Sequence, residues 1–409
     1  MLFEAPECSY IFKMPKLSNM ADIRGSISGR MERIVDLSNR IYQLAELGSQ
    51  EVVSSQILCD FLSSEGFKIT KPLLNMKTAF RAEYGRGDTT VGFLAEYDAL
   101  PNGHSCGHNL ISAWAAGCAT TLKDVSTGIR IVVIGTPSEE GIGEYAGSKV
   151  TMAAQGVFDD IDMVFGFHAD DRWGVGSTSL ADITLQLVFS GKASHGADAP
   201  QLGINALDAA VSTYTAINSL RGWAKNDKHL VIGMVIREGG QATNVIPEKA
   251  VMDVEIRSTS SNFVREFSEK VENMAISIGK GYGATVRVRQ ITPLYESYLH
   301  SRSLDSILFS ELRKLNINPV NVDDDSQIPS GSTDEANVSM VVPTGHIDMQ
   351  IGFPGIPGHS DEFREAANPY TCSANLSLVI EATVNAAIRA SSHEMKKQIL
   401  GEFQEAKRK

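Results

Sequence analysis

Apolar positions along the chain follow two alternating periods. Ile34, Leu37, Ile41, Leu44 and Leu47 recur at helical spacing, and a second helix is expected from Glu51 to Glu65. Residues up to about 27 show little periodicity and read as an irregular lead. Short apolar runs follow at Thr90 to Tyr97, Arg130 to Thr136 and Met163 to His168. Helical stretches such as Leu110, Trp114, Cys118 and Leu122 separate them. Strand-like runs alternating with helices predict an α/β fold, with a mainly parallel sheet covered by helices.

The pattern changes at Asp182. Ile183, Leu185, Leu187 and Phe189 alternate with other residues, and Leu207, Val211, Tyr214, Ile217 and Leu220 then keep helical spacing. Two strands are expected at His229 to Arg237 and Val251 to Arg257. A helix carrying Phe263, Phe267, Val271, Met274 and Ile278 comes next, and a last strand holds Val286 and Val288. Strand, helix, strand, strand, helix, strand is the order of a ferredoxin-like unit. The expectation is therefore an inserted domain at 182–293, with 1–181 and 294–409 together forming a discontinuous main domain.

Composition narrows the function classes. At 409 residues, with 43% hydrophobic and 21% charged, the chain has material for two folded domains. A formal charge of -12 with scattered Lys and Arg argues against nucleic acid as a partner. No apolar run reaches the roughly 18 residues that span a bilayer, so neither a membrane partner nor a signal peptide is expected. Five irregularly spaced cysteines do not read as a disulfide framework, and reduced thiols in the cytoplasm are the expectation.

The chemistry gathers where strands are expected to end. Asp98-Ala-Leu-Pro-Asn-Gly-His104-Ser105-Cys106-Gly107-His108-Asn109 lies between a strand and a helix, where open α/β sheets bind ligands. A thiolate and an imidazole two residues apart there can share a metal. Glu139-Glu140 closes the next strand, and a cation removes the repulsion between the two carboxylates. One of them can then bind the ion while the other acts as a general base. His168 ends the third strand, and His359 follows Gly358 near the C-terminus.

Each residue alone has an ordinary reading: a small buried thiol, a solvated acidic pair at a helix start, or a hydrogen-bonded structural histidine. Their recurrence at successive strand ends favours a metal site. Gly103-His104-Ser105-Cys106-Gly107 also fits the G-x-S-x-G pattern of a serine hydrolase using Ser105, although Pro101-Asn102-Gly103 separates the serine from the strand. A Cys106, His108, Asn109 triad is weaker, because neighbours in sequence cannot supply that spatial arrangement. A catalytically silent binding or scaffold protein is the remaining alternative.

The ordered segments GSQEVVSSQ, DALPNGHSCGHN, GTPSEEG, FGFH, ASHG, NVIPE, GSTDEANVS and GHSDEFREAA resemble metallopeptidase family twenty. This family includes two-metal aminoacylases, indole-acetyl-amino-acid hydrolases and p-aminobenzoyl-glutamate hydrolases. Glu96 stands where the carboxypeptidase branch has a metal-binding His, which matches the amidohydrolase branch. The CGHN form looks nearest to members that hydrolyse β-alanyl dipeptides.

The resemblance implies two divalent ions, zinc by default with manganese or cobalt also suited, held by Cys106, His108, Glu140, His168 and His359. It makes Glu139 the base, Asp98 a support for the site, and His195 a donor to the oxyanion. Asn244 and Arg257 would hold the substrate carboxylate. It also implies an acyl-amino acid or dipeptide substrate and a homodimer formed through the inserted domain. Relatives often follow the Glu pair with glycines and a Lys, whereas GIGEYAGSK follows here.

Overall fold

The apolar stripe that opens the chain runs further toward the N-terminus than its spacing suggests. In the computed structural model, which describes residues 18–222, 229–322, 329 and 331–408, helix α1 spans Ser18–Leu44. Ile23 and Ile27, each 1% exposed, extend the face formed by Ile34, Leu37 and Ile41. The lead expected to be irregular up to residue 27 is therefore helical from Ser18. Two isoleucines four residues apart were too few to register as a period, but they suffice once α3 and α10 cover them.

The first run continues through α2 (Val52–Ser64), β1 (Lys68–Thr70), β2 (Phe80–Tyr84), β3 (Thr89–Ala95), α3 (His108–Val125), β4 (Ile129–Gly135), α4 (Ser148–Ala154), β5 (Met163–Asp170) and β6 (Gly174–Val175). The second comprises β7 (Ala181–Ser190), β8 (Ser194–His195), α5 (Ala206–Ser219), β9 (Val231–Glu238), β10 (Val245–Ile246), β11 (Lys249–Ser258), α6 (Ser261–Gly281) and β12 (Thr285–Gln290). The chain ends with α7 (Arg302–Lys314), β13 (Val320–Asn321), α8 (Glu335–Ser339), β14 (Thr344–Gln350), α9 (Asp361–Ala366), α10 (Pro369–Ala390) and α11 (His393–Ala406).

Among the described residues the first and last runs share an eight-stranded sheet in the order β1-β2-β4-β3-β5-β14-β6-β13. The central neighbours β4, β3, β5 and β14 are parallel, so their C-terminal ends open on one edge. Every residue of β3 is buried, as expected for a strand covered on both faces. Trp114 of α3 stacks on Phe167 at 5.1 Å and meets Phe93 edge-on at 5.8 Å, fastening helix to sheet. Gly117 lets α3 approach α10 closely, since a Cβ there would lie 2.6 Å from Ile380.

The second run forms a separate four-stranded antiparallel sheet in the order β12-β7-β11-β9. That is the ferredoxin-like arrangement expected from the alternation of Ile183, Leu185, Leu187 and Phe189, all four of which are buried. Helices α5 and α6 cover one face through Ala209, Ala210, Ile217, Phe267 and Val271. No helix of the described residues is long and apolar enough to cross a membrane. Four cysteines, Cys59, Cys106, Cys118 and Cys372, are free thiols.

The end of α2 is tied to α1 and α3 by one acid. Glu65, its side chain 7% exposed, meets Arg30 at 3.3 Å, Lys123 at 2.9 Å and the Arg33 guanidinium. Burial alone would raise this carboxyl, but Lys123, Arg33 and Arg30 outweigh it and hold it down at about 2. A carboxyl depressed in the folded state stabilises above its unfolded value near 4.5 and loses that contribution as pH falls through about 2. Glu65→Gln should therefore lower stability at pH 7 by about 1–2 kcal/mol, allowing for screening at exposed Arg33. The gap should narrow below pH 4.5 in denaturant titrations at several pH values, whereas a pH-independent gap would deny the ion pairing.

Candidate metal centre

Four chain segments meet where β3, β4, β5 and β14 end. Beyond β3 the chain turns through residues 96–107 into α3, and Gly107 forms the helix N-cap at φ 80°. A Cβ at Gly107 would lie 2.8 Å from that of Ala169, so the site requires both the left-handed backbone and the missing side chain. This turn sends Cys106 and His108 toward the same space. Past β4, Ser138 takes φ 60° and delivers Glu139 and Glu140. His168 comes from β5. His359, at φ 63°, comes from the loop after β14, and its backbone N–H donates to Ser105 O at 3.0 Å. Left-handed non-glycine residues are sparse and tend to collect at functional sites.

The structure brings Cys106, His108, Glu140, His168 and His359 together. Cys106 Sγ lies 3.3 Å from His168 Nε2 and 3.5 Å from His359 Nε2. His108 Nε2 lies 3.7 Å from Glu140 Oε1, and His359 Nε2 lies 3.7 Å from Glu140 Oε2. Among the described residues three groups of donor atoms, each mutually within 4.8 Å, can be drawn: Cys106, His108, His168; Cys106, Glu140, His359; and Glu96, His108, Glu139. Asp98 stands behind them. Its Oδ1 accepts from His108 Nδ1 at 3.0 Å, and its Oδ2 accepts from the Glu140 backbone N–H at 3.1 Å. That contact leaves His108 Nε2 turned inward, where it could bind a cation.

Two buried atoms in the cluster have no hydrogen-bond partner, His108 Nε2 and Glu140 Oε1. Buried polar atoms rarely go without a partner, and these two face each other across the space between the segments. A sulfur, imidazole and carboxylate donor set suits zinc, manganese or cobalt. The electrostatics agree. Burial and then Glu96 push the Glu139 carboxyl up, while burial and then Cys106 push Glu140 up. Burial would raise the Cys106 thiol and lower His168, but each outweighs burial at the other, holding Cys106 well below the usual range and raising His168. The two glutamates are thus short of positive charge, which divalent cations would supply.

Sequence reading missed Glu96, Lys149, Thr333 and Asp334 as parts of this site. Lys149 is fully buried, with Nζ 2.9 Å from Glu96 Oε1 and bonded to Asp334, whose other oxygen accepts from the Lys149 backbone N–H at 3.1 Å. Glu96 Oε2 is 3.5 Å from His108 Nε2. Thr333 Oγ1 donates to Glu139 Oε1 at 2.9 Å and so orients that carboxylate. The signal was present in Gly147-Ser148-Lys149, which carries the lysine that ends the GIGEYAGSK departure after the Glu pair. It was also present in the Asp334 of GSTDEANVS, but burial of a lysine cannot be read from one sequence.

The remaining expected residues lie elsewhere. His195 and Asn244 are exposed neighbours in the β8–β10 ribbon, where Gly196 N–H donates to Asn244 O at 2.8 Å. Arg257 on β11 meets Glu255 at 2.8 Å and Asp182 at 3.4 Å. No hydrogen bond or ion pair among the described residues joins these three to the Cys106 cluster. The rival nucleophiles lack their partners: Ser105 is buried and donates to Asn102 Oδ1 at 2.8 Å, while the Asn109 amide donates to Ser38 and Ala367.

Residues 179–283 match the peptidase dimerisation domain family. The Xaa-Arg dipeptidase of Homo sapiens is 32% identical over 357 residues, covering 82% of this chain and 80% of that protein. A p-aminobenzoyl-glutamate hydrolase chain of Escherichia coli (strain K12) is 30% identical over 313 residues, covering 71% of this chain and 64% of that protein. A dinuclear metal-binding peptidase of the M20 family from Bacillus subtilis shares the fold, with a TM-score of 0.62 at 19% identity over 86% of this chain and 99% of that one.

The buried lysine gives a direct check on the electrostatics. Replacing one partner of a buried ion pair leaves the others uncompensated, so Lys149→Met should cost about 3–5 kcal/mol of stability in the metal-free protein. Urea unfolding measures this. Stability equal to wild type would show that Glu96 and Asp334 do not depend on Lys149.

Proposed function

Because the chain belongs to metallopeptidase family twenty, we propose that it is a metal-dependent amidohydrolase acting on dipeptides or N-acyl amino acids. The observation that carries this reading is the meeting of Cys106, His108, Glu140, His168 and His359 around the unpartnered His108 Nε2 and Glu140 Oε1. Those five side chains would hold two divalent ions, with zinc the first candidate and manganese or cobalt compatible. Bound there, the ions would polarise the substrate carbonyl and lower the pKa of a water.

Glu139 is the base in this account. Thr333 steers one of its oxygens, and the other lies 3.8 Å from His108 Nε2, beside the cation space. It takes the proton from water and returns it to the leaving amine. Asp98 keeps His108 in the tautomer whose Nε2 faces the ions. His195 Nδ1 accepts backbone N–H bonds from Ala197 at 3.3 Å and Asp198 at 3.1 Å, which leaves the Nε2–H of the neutral ring free to donate. Reaching the site by closure or from a second copy, it would stabilise the developing oxyanion. Asn244 and Arg257 would hold the substrate carboxylate, with Arg257 exchanging part of its pairing to Asp182 and Glu255.

On this reading 182–293 is a lid and homodimerisation domain, and 1–181 with 294–409 form the catalytic domain. The free thiols fit a cytoplasmic enzyme. Dipeptides ending in a basic residue are the first substrates to try, given the relative that acts on Xaa-Arg. Glu139→Gln should keep its metal content and KM while kcat falls by about a thousandfold or more. Hydrolysis assays paired with metal analysis check this, and wild-type turnover in the variant would remove Glu139 from the mechanism.

A further inference from the structure

Residues 46–51 are built into both loops that carry the proposed ligands. On one side the Ala99 backbone N–H donates to Glu46 O at 2.8 Å, and Leu47 bridges Ala99, so the segment grips the turn that leads to Cys106 and His108. On the other side it grips the elbow before the Glu pair. Glu51 Oε1 accepts from the Ser138 backbone N–H at 2.9 Å and from its hydroxyl at 3.4 Å. Ser49 Oγ lies 2.9 Å from Ser138 Oγ and accepts from the Tyr145 N–H at 2.8 Å. Gly48 lies so close to this loop that a Cβ would sit 2.4 Å from Ile142 O.

The cost of this arrangement points to a use. Glu51 is 0% exposed, and its Oε2 has no hydrogen-bond partner. Burying an acid with one oxygen unsatisfied lowers stability, and although Glu51 is the N-cap residue of α2 its side chain makes no cap hydrogen bond there, its Oε1 being turned to Ser138 instead. Ser138 is equally buried and holds φ 60°, a conformation that a non-glycine residue keeps only when its surroundings impose it. The Ser138 N–H would have no partner without Glu51, and the next two residues are Glu139 and Glu140.

We propose that Glu51 is a positioning residue for the hydrolysis: by fixing the Ser138 elbow it sets where Glu139 and Glu140 stand relative to Cys106 and His108, with Ser49 and Glu46 completing the clamp. This rests on the reading in which Glu139 is the base and Glu140 a metal ligand. Burial pushes the Glu51 carboxyl up to about 7, so a neutral amide is a close stand-in for it.

The test uses the 409-residue chain in three variants, Glu51→Ala, Glu51→Gln and Ser49→Ala. Hydrogen exchange is followed by mass spectrometry across 138–145 in the metal-free state, and kcat and KM are measured on the metal-loaded enzyme. Glu51→Ala should exchange about tenfold faster or more in that segment and lose about 10- to 100-fold in kcat, with KM within about threefold. Glu51→Gln, which keeps the acceptor, should stay within about threefold of wild type in both. Ser49→Ala should move the same way as Glu51→Ala by a smaller factor, and it carries the test if Glu51→Ala does not fold. Unchanged exchange in the alanine variants, unchanged kcat despite faster exchange, or a Gln variant as impaired as Ala each overturns the proposal. A wild-type chain inactive on every amide tried defeats the hydrolase reading instead, and the exchange data alone then decide whether the clamp exists.

Discussion

Acids and imidazoles buried together need compensating charge, and the ends of the parallel strands are organised around that requirement. Lys149 answers Glu96 and Asp334, and Asp98 answers His108. After these pairings the Glu139 and Glu140 carboxyls are still pushed up for want of positive charge, and two buried atoms beside them, His108 Nε2 and Glu140 Oε1, have no hydrogen-bond partner. A low-dielectric site in this state either protonates or binds cations. The sulfur, imidazole and carboxylate donor set favours cations.

The rest of the molecule makes that cluster geometrically attainable. A parallel sheet presents the C-terminal ends of several strands along one edge, so residues as distant in sequence as Cys106 and His359 arrive side by side. Helices α3 and α10 cover the sheet from one side and α1 packs on them, through an isoleucine, tryptophan and phenylalanine core. Precision is added locally, by left-handed turns at Gly107, Ser138 and His359 that aim the side chains. The second sheet stands on its own core, and the exposed ribbon bearing His195 and Asn244 makes no hydrogen bond to the cluster among the described residues.

Much of this was legible from sequence, for identifiable reasons. The strands of both sheets announce themselves because β3, β4 and β5 are continuous apolar runs and β7 and β11 alternate. The ligand candidates announce themselves because Cys, His and paired Glu are unusual at strand ends. What stayed hidden depends on tertiary context. The start of α1 has too few apolar residues to show a period. Strand β14, carrying His346 and Asp348 within its apolar residues, does not look like a buried strand. Lys149 reads as a surface residue until the fold surrounds it, and Glu96 reads only as the marker of a branch. Arg257, expected to hold a substrate carboxylate, also faces two carboxylates of its own sheet, a pairing that register decides and composition does not.

Cys106 belongs to two of the three donor groups, so it bears most directly on whether the cluster holds metal. Divalent-metal stoichiometry of the purified chain, measured by mass spectrometry of its elements, decides the matter. Two ions per chain in the wild type, lost together in Cys106→Ala, is the result this account requires. A wild-type chain that takes up none from zinc-, manganese- or cobalt-containing buffer, or an alanine variant that keeps both, would contradict it.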